Sequence, residues 1–146
     1  MLLVDKVEKE GEVLEKFLKT KTNKTVKFIS GRDKVDVREK WRQKCIKSDN
    51  IILIATYGIF QQGINIPNLK YIILSAPFKA KIRILQSIGR ALRKHANKEE
   101  GAMIYDLCDQ TKFFKKYSKI RLRYYDAENF TVKEYKFSES SNKFDL

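Results

Sequence analysis

Arg90 and Arg93 stand three residues apart in the segment Gln86-Ser87-Ile88-Gly89-Arg90-Ala91-Leu92-Arg93, so on a helix they share one face. No acidic residue lies between Lys79 and Lys98 to neutralise them. A guanidinium is permanently charged, and its planar fork matches phosphate oxygens. Two on one face suit arginine fingers, which stabilise the charge that develops on a transferring phosphoryl group. A basic helix face solvated by water has the same spacing. Upstream, Thr56 follows the apolar run Ile51–Ile54. A strand ending there sets the Thr56 hydroxyl and the amides that follow, Tyr57 included, at a helix N-terminus, where anions are held. The same hydroxyl can instead cap that helix. Ser30-Gly31 ends another expected strand, and glycine permits close backbone approach to a phosphate.

Taken together, Ala55 to Pro67 and Gln86 to Arg93 resemble motifs V and VI of superfamily 2 helicases, in their second RecA-like domain. The pattern A-T-x-x-x-x-x-x-G-[IL]-D-[IL]-P is matched by Thr56, Gly63, Ile64, Ile66 and Pro67, and Q-x-x-G-R-x-x-R by Gln86, Gly89, Arg90 and Arg93. The family's usual Asp falls on Asn65, which can still hydrogen-bond a hydroxyl but brings no charge. The chain is similar in particular to the helicase group of T-even phages, over residues 1 to about 137.

That resemblance implies ATP and Mg²⁺ held between two RecA-like domains, with Arg90 and Arg93 as the catalytic arginines at the γ-phosphate. It sets Gly63, Asn65 and Gln86 beside the nucleotide, and Ser30, Gly31, Thr56 and Tyr57 on the backbone of a nucleic-acid strand. The substrate it implies is DNA, single-stranded or branched, with RNA as the alternative. The sequence holds neither a G-x-x-x-x-G-K-[ST] phosphate loop nor a D-E-x-[HD] segment for magnesium. The expectation is therefore the second half of a motor, inactive alone, working with an N-terminal RecA-like domain in the same or another chain. A free-standing nucleic-acid-binding module, or a domain that docks on another ATPase, keeps the same basic surfaces without the chemistry.

The elements that must position these residues alternate. Strands are expected at Leu2–Val4, Val26–Ile29, Ile51–Ala55, Tyr71–Ser75 and Ala102–Asp106. Val13, Leu14, Phe17 and Leu18 define a helix face between the first two. Val37, Trp41 and Cys45 define the next, with Asp33 or Asp36 as its cap, and a short helix runs from Tyr57 to Gln62. Ile82, Leu85, Ile88 and Leu92 give the buried face of the helix that carries the arginines. Alternating strands and helices predict an α/β, RecA-like three-layer fold with a mostly parallel, doubly wound sheet. Phe113, Tyr117, Ile120 and Tyr124 then mark a basic amphipathic helix, and Thr131–Phe137 an added strand. The expected division is a core over 1–110, that helix and strand over 111–137, and a loose tail over 138–146.

Charge narrows the partners. The 146 residues carry a net charge of +13, which favours polyanions. Residues 79–98 hold seven basic and no acidic side chains, and residues 112–123 six basic and none acidic, around a stretch from 51 to 78 whose single charge is Lys70. No apolar run approaches a membrane span. Cys45 and Cys108 form no close-spaced metal motif and are expected to be small core residues, and a lone His95 makes no metal cluster. A cytoplasmic setting, in a bacterial or phage-infected cell, is expected.

Overall fold

The computed structural model describes residues 1–62, 64–75, 85, 88–89, 102–108, 111–138 and 143–145. Five strands form one sheet: β1 (Leu2–Val4), β2 (Thr25–Ile29), β3 (Ile51–Thr56), β4 (Tyr71–Leu74) and β5 (Met103–Asp106). Their order is β2-β3-β1-β4-β5 and every adjacent pair is parallel. The expected parallel α/β sheet is present, and all five carboxyl ends face the same edge.

Alternation along the strands splits the core in two. Val4, Val26, Phe28 and Ile54 point to one face, where Leu14 and Leu18 of α1 (Glu12–Lys19) cover them. Leu3, Ile29, Leu53, Ala55, Ile72 and Leu74 point to the other, under Trp41, Cys45 and Ile46 of α2 (Val35–Lys47) and Ile59 and Phe60 of α3 (Tyr57–Gln62). This is the three-layer arrangement the alternating pattern demands. A π-helical turn, Val7–Gly11, leads into α1. It packs so tightly on β2 that a Cβ at Gly11 would sit 2.3 Å from the Phe28 ring.

Three expectations are corrected in these elements. The apolar face of α1 is only half used: Val13 is 56 % and Phe17 53 % exposed, because the helix meets the sheet along Leu14 and Leu18 alone. Neither Asp33 nor Asp36 caps α2, which starts after Lys34 without a side-chain cap. Asp33 instead turns back to accept the Ser30 N–H at 2.7 Å. Cys108 is exposed rather than in the core, whereas Cys45 is half-buried and burial raises its thiol pKa.

The last helix, α4 (Lys112–Ala127), packs through Leu122, Tyr124 and Tyr125 on Ile88 and on Ile104 of β5. Leu85, Ile88 and Gly89 are helical, as their spacing predicts; Ile82 and Leu92 lie outside the described residues. Asn129 ends α4 in the left-handed region, at φ 54°, a conformation asparagine tolerates. The Phe130 N–H reaches Tyr125 O at 3.0 Å, the Asn129 N–H reaches Asp126 O at 2.9 Å, and the Phe130 and Tyr125 rings stand 6.4 Å apart. Those are the two bonds and the apolar contact of a Schellman stop.

Among the described side chains of α4, Ser118, Arg121 and Tyr125 are the fully buried ones; Tyr117, Ile120 and Tyr124, which mark the helix in the sequence, are half-buried, and Tyr124 packs in the same cluster as Tyr125. Arg121, counted in the sequence as part of a basic surface, is 1 % exposed and paired with Asp106. The strand expected at Thr131–Phe137 is shorter and later: β6 (Lys136–Ser138) pairs antiparallel with β7 (Lys143–Asp145) in a separate two-stranded sheet. The region expected as a loose tail thus supplies β7.

Candidate functional site

The carboxyl edge of the sheet gathers the residues with phosphate-binding chemistry. Ile29 pairs with Ala55, and Val4 with Thr56, so the turn after β2 and the β3–α3 junction lie side by side. In such sheets ligands bind beyond this edge, where helix N-termini present free amides.

Ser30 and Asp33 build the first turn. The Ser30 N–H donates to Asp33 Oδ2 at 2.7 Å, the Ser30 hydroxyl donates to the same oxygen at 3.3 Å, and the Arg32 N–H donates to Ser30 Oγ at 3.2 Å. Ser30 is only 3 % exposed. Its amide and hydroxyl therefore hold the turn, and the surface it presents is Gly31. A Cβ at Gly31 would meet only Ile59 Cδ1, at 4.0 Å, so the protein's own packing makes no demand for glycine there. The same contact shows how near the turn lies to α3.

At the second loop Thr56 closes β3 and is half-exposed. Tyr57 is 2 % exposed and belongs to the core, so it offers the edge its main chain and not its ring. Gly58 is exposed, and a Cβ there would meet nothing within 4 Å. Gly89, on the helix that follows, is likewise open. Among the described residues none packs closely on Gly89, close packing being one of two reasons for glycine at that position.

Asn65 lies in the chain between α3 and β4 and is half-exposed. Its carbonyl accepts a hydrogen bond from Arg42 Nη1 at 2.9 Å. Arg42 is itself clamped by Glu39, Nε to Oε2 and Nη2 to Oε1, both at 2.7 Å. That fork drops the Glu39 pKa to about 2 and raises that of Arg42. Asn68 adds a second tether, its Nδ2 donating to Cys45 O and Ile46 O at 3.2 Å. Helix α2 thus fixes the segment that carries Asn65. Gly63, Gln86, Arg90 and Arg93 lie outside the described residues.

Sequence reasoning offers Asp33 only as a helix cap and does not single out Arg42. The i,i+3 spacing of Glu39 and Arg42 was a usable signal for their pair, but the reach of Arg42 to Asn65 depends on how α2 lies against β3. Among the described residues no His, Cys, Asp or Glu group could hold a metal ion. No described helix is long and apolar enough to cross a membrane.

Comparison with known proteins agrees with this geometry. The ATP-dependent DNA helicase UvsW of enterobacteria phage T4 is 35 % identical over 99 residues, 68 % of this chain and 19 % of that protein. A putative ATP-dependent RNA helicase of Acanthamoeba polyphaga mimivirus is 35 % identical over 97 residues, 65 % of this chain and 18 % of that protein. The chain therefore spans about a fifth of the length of these relatives. The crystal structure of T4 UvsW superposes with a TM-score of 0.69 at 28 % identity, over 88 % of this chain and 29 % of that one. The C-terminal domain of the DEAD-box protein Dbp5 shares the fold, with a TM-score of 0.64 at 20 % identity over 86 % of this chain and 69 % of that one. Residues 2–95 match the model of the helicase conserved C-terminal domain, and the chain belongs to that family.

Proposed function

We propose that the chain is the second RecA-like half of an ATP-dependent helicase or translocase core acting on DNA, single-stranded or branched. One observation carries the reading: the Ser30-Gly31 turn and the Thr56–Gly58 junction adjoin at the carboxyl edge, and both end in glycines that packing among the described residues does not require. Such bare backbone admits a phosphate closely. Thr56 contributes a hydroxyl, α3 its first amides, and Gly31 an unobstructed approach. Together they form half of a track that holds the strand by its backbone and is indifferent to base sequence.

ATP and Mg²⁺ belong to the cleft shared with an N-terminal RecA-like domain. The described residues fit a nucleotide there: Asn65 is half-exposed, its main chain is fixed by Arg42, and its amide can bond a ribose hydroxyl. ATP supplies the phosphoryl group whose transfer drives the motor. Gly63 and Gln86 would line the same cleft, with Arg90 and Arg93 reaching across it. Cleft closure and opening then alternate the grip of the track on the strand. Such a motor would work in the cytoplasm of a bacterial or phage-infected cell.

The test joins the chain to an N-terminal RecA-like half and follows phosphate release. Arg93→Ala should lower DNA-stimulated turnover by on the order of 10³-fold while leaving DNA affinity nearly intact. Arg93→Lys should not restore it fully, since an ammonium lacks the planar fork. Weakened DNA binding with an unchanged turnover number at saturating DNA would make Arg93 a track residue. Robust ATP hydrolysis by this chain alone would overturn the half-motor reading.

A further inference from the structure

A second cationic feature lies away from the carboxyl edge. A groove of about 480 Å³ opens at the amino-terminal edge of the sheet, between the starts of β2 and β3 at Thr25 and Ile51 and the last two turns of α2. Its wall is Lys40, Trp41, Lys44 and Lys47. The three lysines are exposed and fall at i, i+4 and i+7, on one face of the helix. Lys44 Nζ stands 4.4 Å from the centroid of the Trp41 ring. Lys24 is nearby, its Nζ 3.5 Å from Asp49 O in the adjoining loop.

The acids around the groove do not cancel this charge. Glu39 is occupied by Arg42 and by Gln43 Nε2 at 2.9 Å. Asp49 is a single exposed carboxylate against four lysines. Cations in the last turn suit the helix dipole, which accounts for Lys44 and Lys47. It accounts neither for Lys40, a turn earlier, nor for their convergence on a groove that a tryptophan also lines. Like charges four apart on one face repel, so the row is costly until an anion fills it.

We propose that this groove is a second nucleic-acid contact, holding the sugar-phosphate backbone of a duplex arm that lies outside the carboxyl-edge track. The two places are distinct. Helix α2 runs from the carboxyl edge to the amino edge, so the groove is separated from Thr56 by the length of β3, roughly 17 Å. From Lys40 to Lys47 the helix rises about 10 Å, the axial extent of about three phosphates on one strand of B-DNA. Ammonium groups act as compact point charges that suit phosphates without reading bases. Lys44 covers a face of Trp41, and the remaining indole surface that lines the groove is the apolar contact offered to the sugar. The contact is independent of sequence and steep in salt. It rests on the chain acting on nucleic acid, not on the arginine fingers or on ATP.

Trp41 is the sole tryptophan, so its emission reports on the groove directly. The chain is titrated with unlabelled blunt duplex DNA at several salt concentrations, and binding is read in parallel by anisotropy of labelled duplex. The expected result is a saturable change in Trp41 emission that tracks binding. In Lys40→Gln/Lys44→Gln/Lys47→Gln, duplex affinity should fall by roughly tenfold or more at low salt, and the slope of log K against log salt should lessen by about three, near one unit per lost phosphate contact. Circular dichroism verifies the fold, and Lys40→Gln alone should lessen the slope by about one. Thr56→Val should weaken single-strand binding while keeping the duplex response of Trp41, which separates this site from the track. Saturating duplex that leaves Trp41 emission unmoved, or a triple variant with wild-type affinity and slope, overturns the proposal. Polyglutamate that displaces the duplex as effectively as competitor DNA also overturns it, in favour of an acidic protein partner.

Discussion

Arg121 grips Asp106 with two parallel bonds, Nε to Oδ2 at 2.7 Å and Nη2 to Oδ1 at 2.8 Å. Asp106 ends the edge strand β5, and Arg121 comes from the middle of α4, so the pair pins the terminal helix to the sheet. Tyr125 Oη donates to the same Asp106 Oδ2 at 2.7 Å, and Arg121 Nη2 also reaches Ser118 Oγ at 3.2 Å. Burial alone would pull the guanidinium pKa down; the bonds and charge of Asp106 hold it above its ordinary value. Burial, then the adjacent carboxylate, pushes the Tyr125 phenol far up. A buried guanidinium is tolerable only with its donors occupied, and here Nε and Nη2 both are.

Removing one partner should therefore hurt more than removing both. Arg121→Met strands a carboxylate that is only 14 % exposed and should destabilise the fold by about 3 kcal/mol. Arg121→Met/Asp106→Leu should recover a large part of that loss, since an apolar pair of similar volume avoids the desolvation. The readout is the urea midpoint at unchanged slope. A double variant less stable than Arg121→Met would show that the pair itself, not the stranded charge, carries the stability.

Two glycines should respond in opposite ways. Gly11→Ala drives a methyl to 2.3 Å from the Phe28 ring and should destabilise by about 1–3 kcal/mol, with partial rescue by Phe28→Leu. Gly31→Ala meets only Ile59 Cδ1 at 4.0 Å and should leave the thermal midpoint unchanged while weakening single-strand binding. A Gly31→Ala chain with intact binding would remove Gly31 from the track.

Acid should weaken the Glu39–Arg42 clamp in a defined window. The folded-state pKa of Glu39 is depressed from 4.5 to about 2, so its contribution is complete above about 4.5 and is lost as pH falls towards 2. Glu39→Gln should accordingly be less stable than wild type near neutral pH, by a small margin for so exposed a pair, and the two should converge near pH 2. A difference independent of pH would mean the carboxylate charge is immaterial.

What the sequence discloses and what it hides divide along a physical line. Strands β3 and β4 were legible because continuous apolar runs such as Ile51–Ile54 belong to a sheet covered on both faces. Thr56 and Gly31 were legible because strand ends and glycines are local signals. The pairing of Arg121 with Asp106 was not: six basic residues between 112 and 123 look alike until the helix rotation is known, and one of them is inside. Tyr117 and Tyr124, the aromatics that mark α4 in the sequence, are half-buried, whereas the line the helix rotation buries fully is Ser118, Arg121 and Tyr125, drawn in by the Asp106 carboxylate. The role of Asp33 was hidden because an Asp two residues before a helix serves a cap or a turn equally well in sequence.

Arg42 should act as a positioning residue for the nucleotide. Its Nη1 holds the Asn65 carbonyl at 2.9 Å while its other two nitrogens are bound by Glu39, so the guanidinium is a rigid strut between α2 and the segment beside the cleft. In the motor joined to its N-terminal half, Arg42→Ala should raise the KM for ATP by roughly tenfold, the worth of one lost hydrogen bond to a charged group. The kcat at saturating ATP should change little, because the strut touches neither the γ-phosphate nor the attacking water. Arg42→Lys should restore only part of the loss, since an ammonium cannot be clamped by Glu39 and reach Asn65 in the same fixed plane. Glu39→Gln should produce a smaller KM increase in the same direction, because it loosens the strut without removing it. A general loss of stability would lower kcat and DNA affinity together, so a selective rise in KM identifies positioning. If Arg42→Ala left KM unchanged, the bond to Asn65 would serve the fold alone and Asn65 would be no part of the nucleotide site.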